Sequence, residues 1–357
     1  MPNKIQSAIK IFLPGRLCLF GEHSDWAGKY RSINSEIEKG YALVVGTNQG
    51  IYADVKHHPR NLIFQATFND GSKYKPIELP MKPTALLDEA KKGGFASYIA
   101  GTAYQILTNY GVAGVEVDNY LTDLPIQKGL SSSAAVCVLI ARAFNRLYNL
   151  KLTIREEMEI AYLGERTTPS LCGRMDPACA FGNKPILMTF DGEEIELREL
   201  KVKQELFLVI VDLAGSKDTK KILRDLNSCY PFPRNQMEQN VQQYLGAINA
   251  QFTQQAVGAV LKGDARLLGT LMNQAQAEFD RHLLPICPDQ LTAPKLHHLL
   301  NHQALKPFIE GGKGVGSQGD GTAQLVARDR ESQTSAIAII ERDFPEMQAY
   351  CLTISRC

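Results

Sequence analysis

The sequence predicts a protein of two domains in which helices and strands are mixed. The chain has 357 residues, a length that favours two domains with a buried core in each. Helical and strand-like apolar patterns both occur in each half of the chain. A charged turn at 192–205 separates two strand-rich blocks. We therefore predict one domain over residues 1–198 and a second over residues 199–357.

The composition and net charge of the chain limit the kinds of molecule that we expect it to bind. Hydrophobic residues make up 44% of the chain and charged residues 22%, as in an ordinary soluble globular protein. The net charge of +1 gives no general attraction to nucleic acid or to an anionic membrane. No window approaches the length of a transmembrane span and the N-terminus lacks the apolar core of a signal peptide, so we expect neither. The eight dispersed cysteines favour reduced thiols in a cytoplasmic protein.

Strand patterns dominate the first part of the chain. We predict β structure at 8–20, interrupted by Pro14-Gly15, and then a polar, turn-rich segment at 21–40. Further strands are predicted at 41–45, 50–55, 62–68 and 112–121, with an irregular excursion at 69–92 and a helix at 95–110. A polar segment as long as 21–40 directly after a strand indicates a functional loop.

A loop of small residues at Gly129–Ala135 precedes a helix predicted over 136–148. Apolar residues recur along this stretch at three- and four-residue spacing, which gives the helix one apolar face. Backbone N–H groups at the start of a helix lack intrahelical partners, and with the positive end of the helix dipole they suit a phosphate. An ordinary serine-capped helix explains the same pattern, since serine is a preferred N-cap residue.

The remaining elements follow a similar alternation. A helix is predicted at 154–167, where Thr153 and Glu156 form a capping box. Beyond it we predict a turn-rich loop at 168–192 and a glycine-rich run at 311–321. Helices are predicted through about 232–303 and at 331–342. The predicted strands are 185–190, 205–213, 305–309, 323–327 and 348–355.

Three charged residues suit phosphoryl transfer, which needs a metal held by oxygen ligands and groups that orient the attacking hydroxyl. Glu165 could offer a carboxylate to Mg²⁺, and Asp176 could accept a proton from a hydroxyl. Arg16 could stabilise the charge that develops on the transferred group. The patterns also fit a solvated helix carboxylate, a turn residue before Pro177 and a surface cation.

A short polar cluster follows the first strand. Glu22, His23 and Asp25 suit hydrogen bonds to several hydroxyls of a sugar. Ordinary loop polarity explains the same residues, and a lone histidine is not a metal site. The single tryptophan, Trp26, is most simply a packing anchor.

The order of these motifs resembles the GHMP kinase superfamily, which includes galactokinase, homoserine kinase, mevalonate kinase and phosphomevalonate kinase. Pro14-Gly15-Arg16 through Gly21-Glu22-His23-Ser24-Asp25 is close to the galactokinase signature, and Gly129–Ala135 is similar to the phosphate loop of the family. Cys172–Asp176 resembles the galactokinase loop that carries the catalytic carboxylate, and the run at 311–321 resembles the third motif. The motifs span residues 14 to 321, nearly the whole chain.

The resemblance implies an α+β fold with an N-terminal ribosomal-S5-domain-2-like domain that binds ATP and sugar and a C-terminal ferredoxin-like domain. It implies that Arg16 and Asp176 are catalytic, and that the sugar contacts are Glu22, His23, Asp25, Gly173 and Arg174. It places ATP phosphates at Gly129, Leu130, Ser131, Ser132, Ser133, Ala134, Gly314, Gly316 and Gly319. Ser133 and Glu165 are the implied Mg²⁺ ligands.

Several positions depart from the galactokinase pattern. Pro177 follows the implied catalytic aspartate, residues 29–40 resemble an insertion, and Arg174 replaces an apolar residue, which suggests an anionic substrate such as a uronic acid. Ser317, Gln318 and Asp320 interrupt the terminal glycine run.

We expect an ATP-dependent kinase that phosphorylates a sugar hydroxyl, taken to be the anomeric hydroxyl of galactose or a related sugar or uronic acid. A mevalonate- or homoserine-type kinase and a non-catalytic sugar and ATP sensor are the alternatives, and both a monomer and a homodimer remain open. Gly314–Gly319 also spells G-x-G-x-x-G, but a strand is predicted after it and Ile339 stands where an acid is required, so we reject a dinucleotide site.

Overall fold

The computed structural model describes residues 8–67, 70–125, 129–170 and 172–356. Backbone contacts group these residues into two units. Unit 1 holds the described residues up to Arg16 and those from Gly46 to Gly182, and unit 2 holds Leu17–Val45 with the described residues from Asn183 onwards. The chain thus changes unit three times. The division after residue 198 into two functional domains stays a prediction.

Helices and strands alternate along the chain. The strands are β1 (Ile9–Phe20), β2 (Gly40–His58), β3 (Asn61–Ala66), β4 (Ile77–Pro80), β5 (Gly114–Thr122), β6 (Ile186–Asp191), β7 (Glu194–Glu199), β8 (Leu206–Asp212), β9 (Ile309–Gly314), β10 (Thr322–Ala327) and β11 (Gln348–Ile354). The α-helices are α1 (Ser24–Ala27), α2 (Pro83–Lys92), α3 (Phe95–Tyr110), α4 (Ser132–Tyr148), α5 (Ile154–Arg166), α6 (Thr219–Asn227), α7 (Gln236–Gln243), α8 (Asn249–Lys262), α9 (Ala265–Leu283), α10 (Pro288–Leu291), α11 (Pro294–Leu300) and α12 (Arg330–Asp343). These elements confirm the predicted mixture of helix and strand.

Unit 1 contains a sheet in the order β4–β3–β5–β2, with β2 contributing its C-terminal part. Strand β5 is parallel to β3 and antiparallel to β2, where Ile51 lies opposite Thr122. Helix α4 packs against α3 and α5, and its residues from Ala134 to Phe144 are buried apart from Arg142. A helix that is apolar on nearly every side belongs in a core, so the prediction of one apolar face understated its burial. This burial fixes the N-terminus of α4, where the serine loop lies.

Unit 2 contains a four-stranded antiparallel sheet in the order β11–β8–β10–β9. The apolar strand β8 is interior, and its Val211 lies opposite Ala323 on one side and Ala349 on the other. Helices α9, α11 and α12 pack on this sheet. The hairpin β6–β7 pairs with the N-terminal part of β2, where Gly40 lies opposite Phe190. The apolar run at 205–213, which predicted a buried strand, thus forms an interior strand of this sheet.

The polar segment at 21–40 is more regular than its composition indicates. It contains α1 and a 3₁₀ helix at Gly28–Ser32. Ala27 and Ile37 are buried in an apolar cluster of unit 2, against which Trp26 and Tyr30 pack. Gly28 is required because a Cβ there would lie 2.9 Å from the carbonyl oxygen of Phe190. Apolar anchors spaced along a polar sequence thus order this segment.

Four predictions about local structure were wrong. The strand predicted at 305–309 begins only at Ile309, after a 3₁₀ helix at Gln303–Leu305. The excursion at 69–92 contains β4 and α2, and the charged turn at 192–205 contains β7. Strand β7 was missed although Ile195 and Leu197 alternate with polar residues, because it is short and four of its six residues are charged. Strand β1 continues through Pro14-Gly15 without a break. Gly15 fits there because a Cβ would lie 2.9 Å from the carbonyl oxygen of Leu130.

The capping box of α5 is present and gives a stability prediction. The Thr153 hydroxyl accepts from the Glu156 amide at 3.2 Å, and the Glu156 carboxylate accepts from the Thr153 amide at 2.7 Å. We expect Thr153→Ala to lower the free energy of unfolding by about 1 kcal/mol, because a helix amide loses its partner. Thr108→Ala on the exposed side of α3 is the control, since it removes a hydroxyl of no capping role. Urea unfolding followed by circular dichroism measures both, and equal losses would contradict the capping role.

Candidate active site

Strand β1 places Arg16 beside the serine loop. The Arg16 amide donates to the carbonyl oxygen of Leu130 at 2.9 Å, and the Gly15 amide donates to Thr47 Oγ1 at 2.9 Å. Arg16 is only 4% exposed. The alternative of a surface cation is therefore wrong for this residue.

Arg16, Ser131 and Asp176 form a hydrogen-bonded cluster in unit 1. Arg16 Nη2 donates to Ser131 Oγ at 2.6 Å and forms an ion pair with Asp176 Oδ1. The Ser131 hydroxyl donates to the same carboxylate oxygen at 2.8 Å. The Gly173 amide donates to Asp176 Oδ2 at 3.2 Å. Residues that the sequence separates by up to 160 positions are thus brought together at one carboxylate.

The serine loop does not use its N-cap side chain to close α4. Ser131 has a φ of 55° and its side chain makes no capping hydrogen bond, because it points to Arg16 and Asp176 instead. Gly129 also has a positive φ, of 74°. A left-handed serine costs on the order of 1–2 kcal/mol, and such strain is concentrated at functional sites. The plain serine-cap interpretation is therefore wrong, because the Ser131 side chain does not cap the first amides of α4.

Glu165 is a buried carboxylate on α5, with 1% of its surface exposed. Its Oε1 accepts from the Ser170 hydroxyl at 3.2 Å, whereas Oε2 has no hydrogen-bond partner among the described residues. Burial raises the pKa of Glu165 to about 7, and the charge of Asp176 acts in the same direction. Hydrogen bonding by the side chains of Ser133, Ser170 and Cys172 acts on this pKa in the opposite direction. The solvated-carboxylate interpretation is thus wrong.

These surroundings fit a divalent cation. A buried carboxylate oxygen without a partner, beside a serine hydroxyl, offers the hard oxygen ligands that Mg²⁺ prefers. The described part of the chain has no cluster of three or more His, Cys, Asp or Glu placed to hold a metal. A cation at Glu165 and Ser133 would therefore need further oxygens, such as those of nucleotide phosphates.

The predicted substrate residue Arg174 is already engaged by α5. Its guanidinium donates to Glu159 at 3.1 Å and lies 4.9 Å from the ring centre of Tyr162. These contacts compensate its charge within unit 1. The suggestion of an anionic substrate drawn from Arg174 therefore receives no support from its surroundings.

Glu22 and Asp25 lie in unit 2 and have different surroundings. Glu22 is 4% exposed and forms an ion pair with Lys313, which is 1% exposed. Asp25 is partly exposed, and its Oδ1 accepts from the Trp26 amide at 3.0 Å. The sequence did not indicate Lys313 as a functional residue. Its only signal was a lysine within a glycine-rich run.

His23 is held as a neutral, oriented ring. The Trp26 indole N–H donates to His23 Nδ1 at 3.1 Å, and because that group only donates, the ring proton is assigned to Nε2. Burial, with the positive charges of Lys217 and Lys313 acting in the same direction, lowers the pKa of His23 to about 3. His23 also has a left-handed backbone, with φ of 69°. Trp26 is therefore a positioning residue as well as a packing anchor.

The glycine-rich run forms the turn of an antiparallel hairpin between β9 and β10. Gly314 ends β9, and Gly316 and Gly319 have φ of 65° and 66°. A Cβ at Gly314 would lie 2.9 Å from Gln318 Oε1. A strand and not a helix follows the run, which agrees with the rejection of a dinucleotide site.

Comparisons with known proteins agree with these motifs. The family profile described as "GHMP kinases N terminal domain" matches residues 97–183. A galactokinase of Thermotoga petrophila is 25% identical over 278 residues, which cover 75% of this chain and 67% of that protein. These matches support the resemblance to the GHMP kinase superfamily, with galactokinases among the relatives. The similarity supports ATP-dependent kinase activity on a small molecule.

Solved structures of GHMP kinases share the fold. The Lactococcus lactis galactokinase complexed with galactose has a TM-score of 0.68 at 17% identity, over 98% of this chain and 94% of that chain. The L. major mevalonate kinase in complex with R-mevalonate has a TM-score of 0.67 at 20% identity, over 99% of this chain and 98% of that chain. The predicted two-domain GHMP kinase fold is confirmed. No helix in the described ranges is both long and apolar enough to cross a membrane.

The neutral state of His23 gives a prediction about acid stability. Below about pH 6.5 the unfolded chain takes up a proton here, whereas the folded chain does so only near pH 3. His23 therefore contributes stability that is complete above pH 6.5 and falls by about 1.4 kcal/mol for each pH unit below it. We expect the stability advantage of the unmodified protein over His23→Asn to shrink by about 3 kcal/mol between pH 6.5 and pH 4.

Asparagine suits this substitution because it tolerates a left-handed backbone. Urea unfolding at each pH, followed through the fluorescence of Trp26, measures the difference. A difference that stays constant over this range would contradict a buried neutral His23.

Proposed function

We propose that the protein transfers the γ-phosphoryl group of ATP to a sugar hydroxyl, the anomeric hydroxyl of galactose or a related sugar being the first candidate. The observation that carries the proposal is the cluster of Arg16, Ser131 and Asp176 at the N-terminus of α4. The similarity to galactokinase supports the choice of a sugar as acceptor. Free thiols at every described cysteine support the proposal of a cytoplasmic location.

Asp176 and Arg16 carry the chemistry in this proposal. The Asp176 carboxylate accepts a hydrogen bond from the acceptor hydroxyl and orients it towards the γ-phosphorus. It takes the hydroxyl proton as the new P–O bond forms and the bond from the γ-phosphorus to the bridging oxygen breaks, which releases ADP. Arg16 offsets negative charge on the transferred group and holds Asp176 in place. Both oxygens of Asp176 already accept hydrogen bonds, which fixes the direction of the carboxylate.

The phosphates of ATP are proposed to bind at the serine loop, Gly129–Ala134. The first amides of α4 and the positive end of its dipole attract anions. Gly314, Gly316 and Gly319 are proposed to give further phosphate contacts through their backbone. Ser133 and Glu165 would hold Mg²⁺, which when bound offsets the charge of the phosphate oxygens.

Glu22, His23 and Asp25 are proposed to contact the sugar, and Gly173 stays a prediction as a sugar contact. The Nε2–H of His23 is a buried donor without a hydrogen-bond partner among the described residues, which supports a ligand contact there. Arg174 stays a prediction as a substrate contact. Its contacts with Glu159 and Tyr162 favour a role in holding the loop of Asp176 on α5.

Two other functions are kept as candidates. A mevalonate- or homoserine-type kinase is favoured by the fold shared with the L. major mevalonate kinase. A non-catalytic sensor is disfavoured by the intact Arg16–Asp176 pair. Steady-state ADP release with a panel of sugars, mevalonate and homoserine separates them. Turnover on mevalonate or homoserine alone would overturn the sugar kinase, and tight sugar binding without turnover would favour the sensor.

Substitution of Asp176 tests the proposed mechanism. We expect Asp176→Asn to lower turnover at least 100-fold, because an amide does not accept the hydroxyl proton. ATP binding, measured by calorimetry, is expected to stay within about threefold, because the phosphate loop is unchanged. Circular dichroism checks folding, since the variant leaves the buried Arg16 without its counter-charge. Asp118→Asn on the exposed face of β5 is the matched control, and near-normal turnover in Asp176→Asn would remove this residue as the base.

Substitution of Glu165 tests the metal site. We expect Glu165→Gln to raise the Mg²⁺ concentration for half-maximal activity at least tenfold, because an uncharged amide is a weaker ligand than a carboxylate. Initial rates over a Mg²⁺ titration at fixed ATP measure the effect, with Glu116→Gln on β5 as control. An unchanged Mg²⁺ requirement would show that Glu165 is not a ligand.

A further inference from the structure

Lysines surround Glu22 in unit 2, where the glycine-rich run departs from the galactokinase pattern. Lys313 Nζ forms the ion pair with Glu22 and donates to the carbonyl oxygen of Gly314 at 2.9 Å. Lys217 Nζ donates to the carbonyl oxygen of Gln318 at 2.7 Å. We name Glu22, His23, Lys217, Lys313 and Gln318 the lysine cluster.

Within the lysine cluster two cations accompany one carboxylate, while Asp218, Asp289 and Asp320 lie around the open pocket that Lys217 also lines. Lys217 and Lys313 are its cations, Glu22 is its carboxylate, and His23 is neutral near pH 7. Burial lowers the pKa of Lys217 to about 8, with the charge of Glu22 acting in the opposite direction. Glu22 is thus the counter-charge of two ammonium groups. Partly buried cations that share one carboxylate favour the arrival of a further anion.

Buried polar atoms in the lysine cluster also lack partners. Gln318 is 1% exposed, and neither its Oε1 nor its Nε2 has a hydrogen-bond partner among the described residues. His23 Nε2 likewise has no hydrogen-bond partner among the described residues. Leaving a buried polar group unsatisfied costs about 1–3 kcal/mol, so such groups commonly serve a ligand. The His23 N–H and the Gln318 amide N–H are donors without partners, whereas the Lys217 ammonium already donates to the carbonyl oxygen of Gln318.

The side chains of Gln318 and Lys217 both lie along the glycine-rich run. The side chain of Gln318 lies against Gly314, where a Cβ would meet its Oε1 at 2.9 Å. The Lys217 side chain lies against Gly319 and Gly321, where a Cβ at Gly321 would meet Nζ at 2.7 Å. The glycines thus leave room for the polar side chains. The cluster is a built arrangement of donors and not a set of scattered surface charges.

We propose that Lys217, Gln318 and His23 bind a carboxylate of the acceptor, and that the acceptor of this kinase is an acidic sugar of the hexuronic acid class. The inference rests on the proposed function and names the substrate class of its sugar site. A carboxylate supplies the missing negative charge and two acceptor oxygens, whereas a neutral hydroxymethyl group supplies no charge. Glu22 and His23 link the cluster to the proposed sugar contacts. The earlier suggestion from Arg174 pointed to the same class, but the charge that supports it lies at Lys217 and Lys313.

Kinetic discrimination between matched sugars tests the inference. Initial rates of ADP release are measured with galacturonate and galactose, and with glucuronate and glucose. We expect kcat/KM for at least one uronate to exceed that of its parent hexose at least tenfold. A preference for both hexoses would overturn the inference while leaving a sugar kinase in place.

Charge variants identify the responsible group. We expect Lys217→Met to lower the uronate-to-hexose ratio of kcat/KM at least tenfold and Lys217→Arg to restore most of it. Lys220→Met, at an exposed lysine of α6, is the matched control. An unchanged ratio, with a raised KM for ATP, would show that the lysines serve nucleotide phosphates and would overturn the proposal. Trp26 fluorescence checks that each variant is folded.

A binding measurement separates this inference from the proposed function. The unmodified chain is titrated calorimetrically with galacturonate and with galactose. Tighter binding of galacturonate that is lost in Lys217→Met would support the carboxylate subsite even if no sugar were phosphorylated, in which case the kinase proposal alone fails. Equal affinity for the two sugars would overturn the subsite.

Discussion

The ion pair between Arg16 and Asp176 is the constraint on which the arrangement of unit 1 depends. Arg16 is almost fully buried, and a buried guanidinium is tolerated only with a well-placed counter-charge. The pair fixes β1 against the 3₁₀ helix at Asp176–Phe181, and it recruits the Ser131 side chain away from its capping position. The left-handed serine and the uncapped start of α4 follow from this competition. The left-handed Ser131 thus lowers the stability of the N-terminus of α4, the helix end that suits an anion.

Each unit contains a buried polar group without a hydrogen-bond partner, and the sign of the missing charge differs between the two units. In unit 1 the buried Glu165 has a carboxylate oxygen without a partner, and burial holds its pKa well above the ordinary range. In unit 2 two lysines share Glu22, and the amide of Gln318 is unsatisfied. The first lacks a cation and the second lacks an anion. Unsatisfied groups of this kind are rare in a core that serves stability alone, and they agree with a protein built to bind charged ligands.

The local sequence pattern predicted those structural features that depend on residues close together in the sequence. The capping box at Thr153, the buried strand β8 and the serine loop each have signals within a few residues. The cluster around Asp176 could be predicted only because family motifs mark its members, since no spacing rule joins residues 160 positions apart. Lys313 pairs with Glu22 across 291 positions, and no local signal announces such a contact. Strand β7 escaped prediction because its two apolar residues, Ile195 and Leu197, stand among four charged ones and give only a weak strand signal.

Strands β1 and β2 each begin in one unit and end in the other, which affects the order in which the protein can be completed on the ribosome. Residues 17–45 are synthesised early, yet they belong to unit 2, most of which follows residue 182. The Asn249 side chain that donates to the backbone of Glu22 emerges 227 residues later. The residues of unit 1 can therefore fold before the residues that contact the segment of Glu22 and His23 have been synthesised. A nascent chain in that state exposes Ile37 and Trp26, which marks this segment as one that chaperones would shield.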